Sequence, residues 1–183
     1  MGIPSKWPAC VAALTLCALS LALLIPEAAA GDGYLLGKVG IYSPRASDVD
    51  DLGEGFNGEV TIGKYILPLI GAEIGAGYFE AEKAPVKLSV YPVTLAARIR
   101  LPIPVVKPYA VAGGGAYFAE REISGSGSQS DTAWGYFGGV GVDIKLLFLL
   151  LNFEAKYLWA SPSFGGKVDI DGLQATVGVG LEF

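Results

Sequence analysis

A period of two runs through nearly the whole chain, and it limits the fold more than any other feature. In the final stretch Gly172–Phe183, Leu173, Ala175, Val177, Val179, Leu181 and Phe183 share one parity. Gln174, Thr176, Gly178, Gly180 and Glu182 share the other. Neighbouring side chains of a β-strand point to opposite faces, so this is a strand with one apolar face and one small or polar face. It ends on an aromatic of the apolar parity, which is unusual in water, where chain ends fray.

Seven earlier segments repeat the pattern: Tyr34–Tyr42, Phe56–Ile66, Leu69–Phe79, Leu88–Leu101, Val106–Phe118, Thr132–Ile144 and Phe148–Ala160. Each is about as long as a tilted strand must be to cross a bilayer, roughly nine to eleven residues. In the fifth, Tyr109, Val111 and Tyr117 are assigned to the apolar, outward parity, with Ala110, Ala112, Gly114 and Ala116 opposing them. Eight antiparallel strands whose termini lie at one end close into an up-and-down barrel without open edges. The expected fold is all-β, an eight-stranded antiparallel up-and-down transmembrane β-barrel.

The connections alternate. Those after strands two, four and six are short and apolar or proline-rich: Leu67-Pro68, Pro102-Ile103-Pro104 and Lys145-Leu146-Leu147. Those after strands one, three, five and seven are polar or glycine-rich: Ser43–Gly55, Glu80–Lys87, Ala119–Asp131 and Ser161–Asp171. Short turns at one end and longer loops at the other are how outer-membrane barrels sit, the loops outside the cell.

The N-terminus has a different character. Lys6 precedes an apolar run from Ala9 to Ile25, then Pro26-Glu27 and Ala28-Ala29-Ala30. A positive start, an apolar middle and a small-residue end form a secretory signal peptide, with cleavage after Ala30 favoured over an uncleaved anchor. The domain reading is a signal peptide at 1–30 and an outer-membrane β-barrel domain at 31–183. Both cysteines, Cys10 and Cys17, fall in the signal, and the chain has no histidine. The exported part therefore has no thiol chemistry and no His-based acid–base catalysis or metal ligation. A net charge of −5 argues against nucleic acid, because there is no basic excess to meet phosphates.

Alternation alone does not say which face points inward; a secreted, lipocalin-like barrel would put the aliphatic parity inside. Two features favour the membrane. The polar parity is mostly Gly, Ala and Thr, which suits the crowded lumen of eight strands better than a water-facing surface. Aromatics assigned to the apolar parity cluster near strand ends: Phe56, Tyr78, Tyr91, Tyr109, Tyr117, Trp134, Tyr136, Tyr157, Trp159 and Phe183. Two aromatic girdles are expected from them.

With its signal peptide, eight alternating strands and final strand Leu173–Phe183, the chain resembles the small outer-membrane β-barrel proteins of Gram-negative bacteria. That group includes the OmpA transmembrane domain and its single-domain relatives. The resemblance implies an assembly signal at Val179, Leu181 and Phe183, read by the barrel assembly machinery. It also implies residence among outer-membrane lipid and lipopolysaccharide, as a monomer. Nothing follows the barrel that would match the peptidoglycan-binding domain of two-domain members.

The polar feature of most interest is a set of charges on the parity assigned to the lumen: Lys38, Glu59, Glu73, Arg98, Arg100, Asp143, Glu154, Lys156 and Glu182. Both signs are present, as burial in a confined space demands. The set can act as a gate whose ion pairs exchange, or as a static plug; eight strands leave no open channel, which favours the plug.

Two letter patterns carry less. Gly53-Glu-Gly-Phe-Asn-Gly58 lacks the preceding strand and following helix of a dinucleotide loop. Asp48-x-Asp50-x-Leu52-Gly53 with Glu59 partly imitates a calcium loop, but its fifth position is Leu and it has no flanking helices; a solvated acidic loop is expected ahead of weak calcium binding by Asp48, Asp50, Asp51 and Glu54. No cofactor, metal or catalytic residue is assigned. The expected role is structural: an envelope-integrity barrel displaying four extracellular loops. The alternatives are an adhesion or host-interaction barrel, with Phe164 the main aromatic beyond the strands, and a small porin or carrier of hydrophobic compounds.

Overall fold

Alternation over eight segments becomes eight strands hydrogen-bonded in chain order, with the last paired to the first. The structure, a computed structural model, describes residues 33–47, 53–83, 86–123, 127–147, 149–163 and 165–183. The signal segment, Asp48, Asp50, Asp51 and Phe164 lie outside the described residues. The strands are β1 (Gly33–Pro44), β2 (Gly55–Tyr65), β3 (Ile70–Lys83), β4 (Val86–Arg100), β5 (Val106–Ile123), β6 (Gly127–Leu146), β7 (Leu149–Ala160) and β8 (Gly172–Glu182).

The ladder fixes the tilt. A walk from Gly33 across Lys64, Ala72, Ala97, Ala112, Gly138, Tyr157 and Leu173 returns to β1 at Ser43, ten residues further along. A stagger of that size over eight strands tilts them by roughly 35–45° and leaves an interior just wide enough for side chains. Closure leaves Gly33 and Phe183 side by side, each donating its N–H to the other's carbonyl, at 2.9 and 2.8 Å.

On seven strands the apolar parity points outward as expected. β5 is the correction. Tyr109, Val111 and Tyr117 are buried inside the barrel, while Ala110 and Ala112 are exposed on its outer face. The Gly113-Gly114-Gly115 tract carries no side chains on either face, so residue size could not separate in from out. An inward tyrosine fits because its cross-strand neighbour is glycine: a Cβ on Gly141 would stand 2.4 Å from the Tyr109 ring.

The girdles are corrected with it. Phe56, Tyr78, Tyr91, Trp134, Tyr136, Tyr157 and Trp159, joined by Phe118, ring the outer face at the loop end, with Tyr78 5.1 Å from Tyr91 and Tyr136 5.3 Å from Trp159. At the turn end Tyr34, Tyr65 and Tyr109 point inward, and among the described residues the outer face there is aliphatic apart from Lys64 and Phe183. Among the described residues one aromatic girdle forms instead of two.

Two expected loops are strand. Glu80–Lys83 pairs with Val86–Ser89, and Ala119–Ile123 pairs with Gly127–Asp131, including part of the Ser/Gly-rich tract. β3 to β6 thus rise past the girdle as a wall. Polarity inverts along the wall. Within the belt, apolar groups face out and polar groups face in. Above Tyr78, Glu80 and Glu82 face out while Phe79 and Ala81 face in; on β5, Glu120 faces out and Ala119 in. Water replaces lipid outside at this level, so the usual inside-apolar rule returns.

Candidate functional site: a layered, sealed lumen

The inward-facing side chains stack in layers from turn end to loop end. At the turn end Glu182 of β8 is held by three cations. Lys107 and Lys145 each approach Oε2 at 3.1 Å, and Arg100 approaches Oε1 at 4.0 Å. The Arg100 guanidinium also lies 3.5 Å from the Tyr65 ring centroid and donates through Nε to the Pro68 carbonyl at 3.3 Å.

The next layer centres on Arg98, fully buried. Its guanidinium donates to Asp143 at 2.8 Å, stands 3.5 Å from Glu73 and lies 3.4 Å from the Tyr109 ring centroid. The Tyr34 hydroxyl donates to Glu73 at 2.7 Å, and the Asn152 amide donates to Asp143 and to the Tyr109 hydroxyl, both at 2.7 Å. The Tyr109 hydroxyl donates a hydrogen bond to Glu154 at 2.8 Å, joining this layer to the one above.

That third layer is a four-membered ring of charge. Lys38 reaches Glu59 at 3.2 Å and Glu154 at 3.1 Å; Lys156 pairs with Glu59 and stands 3.6 Å from Glu154. Two cations and two carboxylates alternate, so each buried charge has opposite neighbours on both sides. Such a ring tolerates burial because no charge in it is left alone.

The loop end is closed by an apolar core instead of charge. Tyr42, Phe79, Leu88, Val90, Tyr117 and Leu158 pack around Ile170, which the β7–β8 connection sends inward. The connection is tied down by several hydrogen bonds. Tyr42 donates its hydroxyl to the Ile170 carbonyl at 2.8 Å, and the Arg45 and Ala46 amides donate to the Asp171 carbonyl at 2.8 and 3.1 Å. The Ala160 amide donates to the Asp171 carboxylate at 3.0 Å. Its burial pushes the Asp171 carboxyl up from its usual range, and Asp169 adds to this; the Ala160 hydrogen bond and Lys167 oppose it.

All nine charges expected on the lumen parity are inward-facing, but they form three groups. Glu182 and Arg100 stand at the mouth; Arg98, Glu73 and Asp143 sit below the ring of Lys38, Glu59, Glu154 and Lys156. The sequence reading missed Lys107, Lys145, Asn152 and the inward tyrosines as members. A signal for Lys107 was available: as a charge sharing a parity with Tyr109 and Val111, it marks that parity as the lumen one. Val179, Leu181 and Phe183 are exposed on the outer face of β8, and the Phe183 ring covers Gly33. Among the described residues, no cluster of His, Cys, Asp and Glu is suited to hold a metal ion.

The family model described as an outer membrane protein beta-barrel domain matches residues 9–183. Neisserial surface protein A aligns with a TM-score of 0.70 at 18% identity, covering 82% of this chain and 97% of that one. OprG from Pseudomonas aeruginosa aligns at 0.58 with 17% identity, covering 84% and 96%. Ail, the attachment invasion locus protein of Yersinia pestis, aligns at 0.56 with 16% identity, covering 84% and 99%. A search of curated protein sequences finds no match. At these identities the structural likeness shows a shared fold.

Proposed function

The chain belongs to the outer membrane protein beta-barrel family, and from that premise we propose that it is a sealed, non-catalytic structural barrel of the Gram-negative outer membrane. The observation carrying this reading is the obstruction of the lumen at every level, by the Glu182 cluster, the Arg98 layer, the Lys38–Glu154 ring and the Ile170 core. A path for ions would require several paired, buried charges to separate together, each leaving an uncompensated neighbour. The signal segment is cut after Ala30 during export, and the outer face of β8 at Val179, Leu181 and Phe183 is read by the assembly machinery. Planar-bilayer recording tests the reading. Wild type and Glu73→Ala should show near-zero currents; regular conductance steps from the wild type would overturn it.

A second reading, adhesion, is favoured by one observation. On β6, residues 127–134 pair with β5 and with no strand on the other side among the described residues, because β7 pairing begins at Gly135. An open edge above the membrane can accept an extended segment of another protein as an added strand. Trp134, 82% exposed, stands at its base. Proline at Ser128 and Ser130 removes two edge amides without touching the belt. Cell binding that falls in this variant, with heat-modifiability intact, supports the reading; binding that persists removes it.

A further inference from the structure

The bare edge of β6 above the girdle can be assigned group by group. The Lys145 amide donates to the Val105 carbonyl, and from there the β5–β6 register runs unbroken to Ile123 and Gly127. In an antiparallel ladder every second residue turns its N–H and C=O toward the same neighbour. Odd-numbered residues of β6 therefore bond to β5, and Ser128, Ser130 and Thr132 turn their backbone groups the other way. Among the described residues no backbone group meets them there, since β7 pairing begins at Gly135. Gly127 to Ser130 are exposed, and the β7–β8 connection meets this stretch at a side chain, the Ser163 amide donating to Asp131 at 2.6 Å. Such a row of unpaired groups is a template for one more strand.

Charge says what kind of strand fits. On the outer face of the wall, Ser128 lies beside Glu122 and Ser130 beside Glu120. Lys87, the cross-strand neighbour of Glu122, turns instead to Glu80 at 3.0 Å and Glu82 at 3.9 Å. Arg121 has the opposite parity and belongs to the other face. Among the described residues no cation pairs with Glu120 or Glu122. The remaining residues of the two hairpins, Ala84-Pro85 and Ser124-Gly-Ser126, carry no charge in the sequence. A strand laid against β6 lies two ladder spacings, roughly 10 Å, from β5. Serine is too short to fill that space, so a lysine or arginine on the new strand can lean across Ser128 or Ser130 to a glutamate. Trp134, 82% exposed on the same parity at the base, offers its ring face to a further cation.

We infer that this edge takes a basic polypeptide segment, extended and with lysine or arginine at alternate positions. Its backbone bonds to Ser128, Ser130 and Thr132, and its outer side chains pair with Glu120 and Glu122. The inference rests on the strand-addition reading above and names the chemistry of the partner. Backbone bonds supply the hold, the glutamates supply the choice, and an acidic segment is turned away.

The test uses the mature barrel in phosphatidylcholine nanodiscs, with empty discs as the blank. The probes are three capped eight-residue peptides alternating threonine with lysine, glutamine or glutamate, their binding followed by fluorescence anisotropy. The lysine peptide should bind tightest and the glutamate peptide at least tenfold more weakly. Glu120→Gln with Glu122→Gln should weaken the lysine peptide about fivefold, the scale of two exposed ion pairs, and leave the glutamine peptide unchanged. Glu54→Gln, ahead of β2 on the opposite side of the barrel, should change nothing. Proline at Ser128 and Ser130, with heat-modifiable mobility intact, should abolish binding of the lysine and glutamine peptides alike. Equal affinity for these two peptides overturns the choice of a basic partner and leaves strand addition standing. A lysine peptide still held by the proline barrel marks adsorption to an acidic surface and overturns both. So does a wild-type barrel that binds none of the three.

Discussion

Single residues carry much of what holds the lumen shut. Arg98 neutralises Asp143 and Glu73 from a fully buried position, so Arg98→Leu leaves two carboxylates facing each other in the dark of the barrel. The expected loss is about 3–5 kcal/mol, the usual cost of breaking a buried ion pair from one side. It is read from the urea midpoint of the barrel in lipid vesicles. Gly141 acts through space alone. A methyl group there would collide with the Tyr109 ring, so Gly141→Ala should displace the tyrosine from Glu154 and Asn152 and cost about 1–3 kcal/mol in the same assay. At this scale the sequence was legible where a charge marked a face and misleading where size was the guide. Lys38, Arg98 and Glu154 declared their side by charge. Tyr109 and Tyr117 were sent to the lipid because aromatics favour it, although Lys107 two residues earlier pointed inward. The glycine that accommodates Tyr109 lies on another strand, and a single stretch of sequence does not reveal that partner.

Elements show the same mixture. Strand number and order could be read from alternation, since only a period of two satisfies lipid on one face and a packed lumen on the other. Strand ends could not. Glu80 and Glu120 look like loop residues, yet they continue their strands because water takes over from lipid outside at that height. The β7–β8 connection behaves as a small folded lid, and its response to pH follows from Asp171. Burial raises the pKa of this carboxyl in the folded loop, so the ionised form is the disfavoured one. The cost is absent below about pH 3, where the carboxyl is protonated whether or not the loop is folded. It grows as pH rises through the folded value and is complete at neutrality. Asp171→Asn stays neutral and keeps an acceptor for the Ala160 amide. It should therefore slow hydrogen exchange at the Val168 and Ile170 amides at pH 7 but not at pH 3. Equal exchange in the two proteins at pH 7 would contradict this account.

At the level of the whole molecule, closure is the dominant fact. Every strand in the belt has two neighbours, and the start of β1 is locked to the residue after β8 at Gly33 and Phe183. A closed barrel resists detergent until heated, so the unheated protein should run faster on SDS gels than the boiled one. A single heat-independent band would contradict a stable closed fold. Location and architecture could be read from the chain because every strand repeats them. The layered packing of its lumen could not, since that depends on a few side chains meeting across strands far apart in sequence.

The inverted wall of β3 to β6 also bears on how the molecule is made. Glu80, Glu82, Lys87, Glu120 and Glu122 stand past the girdle at the loop end, and in the proposed orientation, loops outward, each first travels through the hydrocarbon layer. A charged group at mid-bilayer on a barrel's lipid face costs about 2–4 kcal/mol for a basic residue and less for an acidic one. Several of them crossing on paired hairpins raise a kinetic barrier that the finished structure no longer displays. Left alone with an unthinned bilayer, this barrel should insert slowly, and the delay should shorten when those five positions are made neutral.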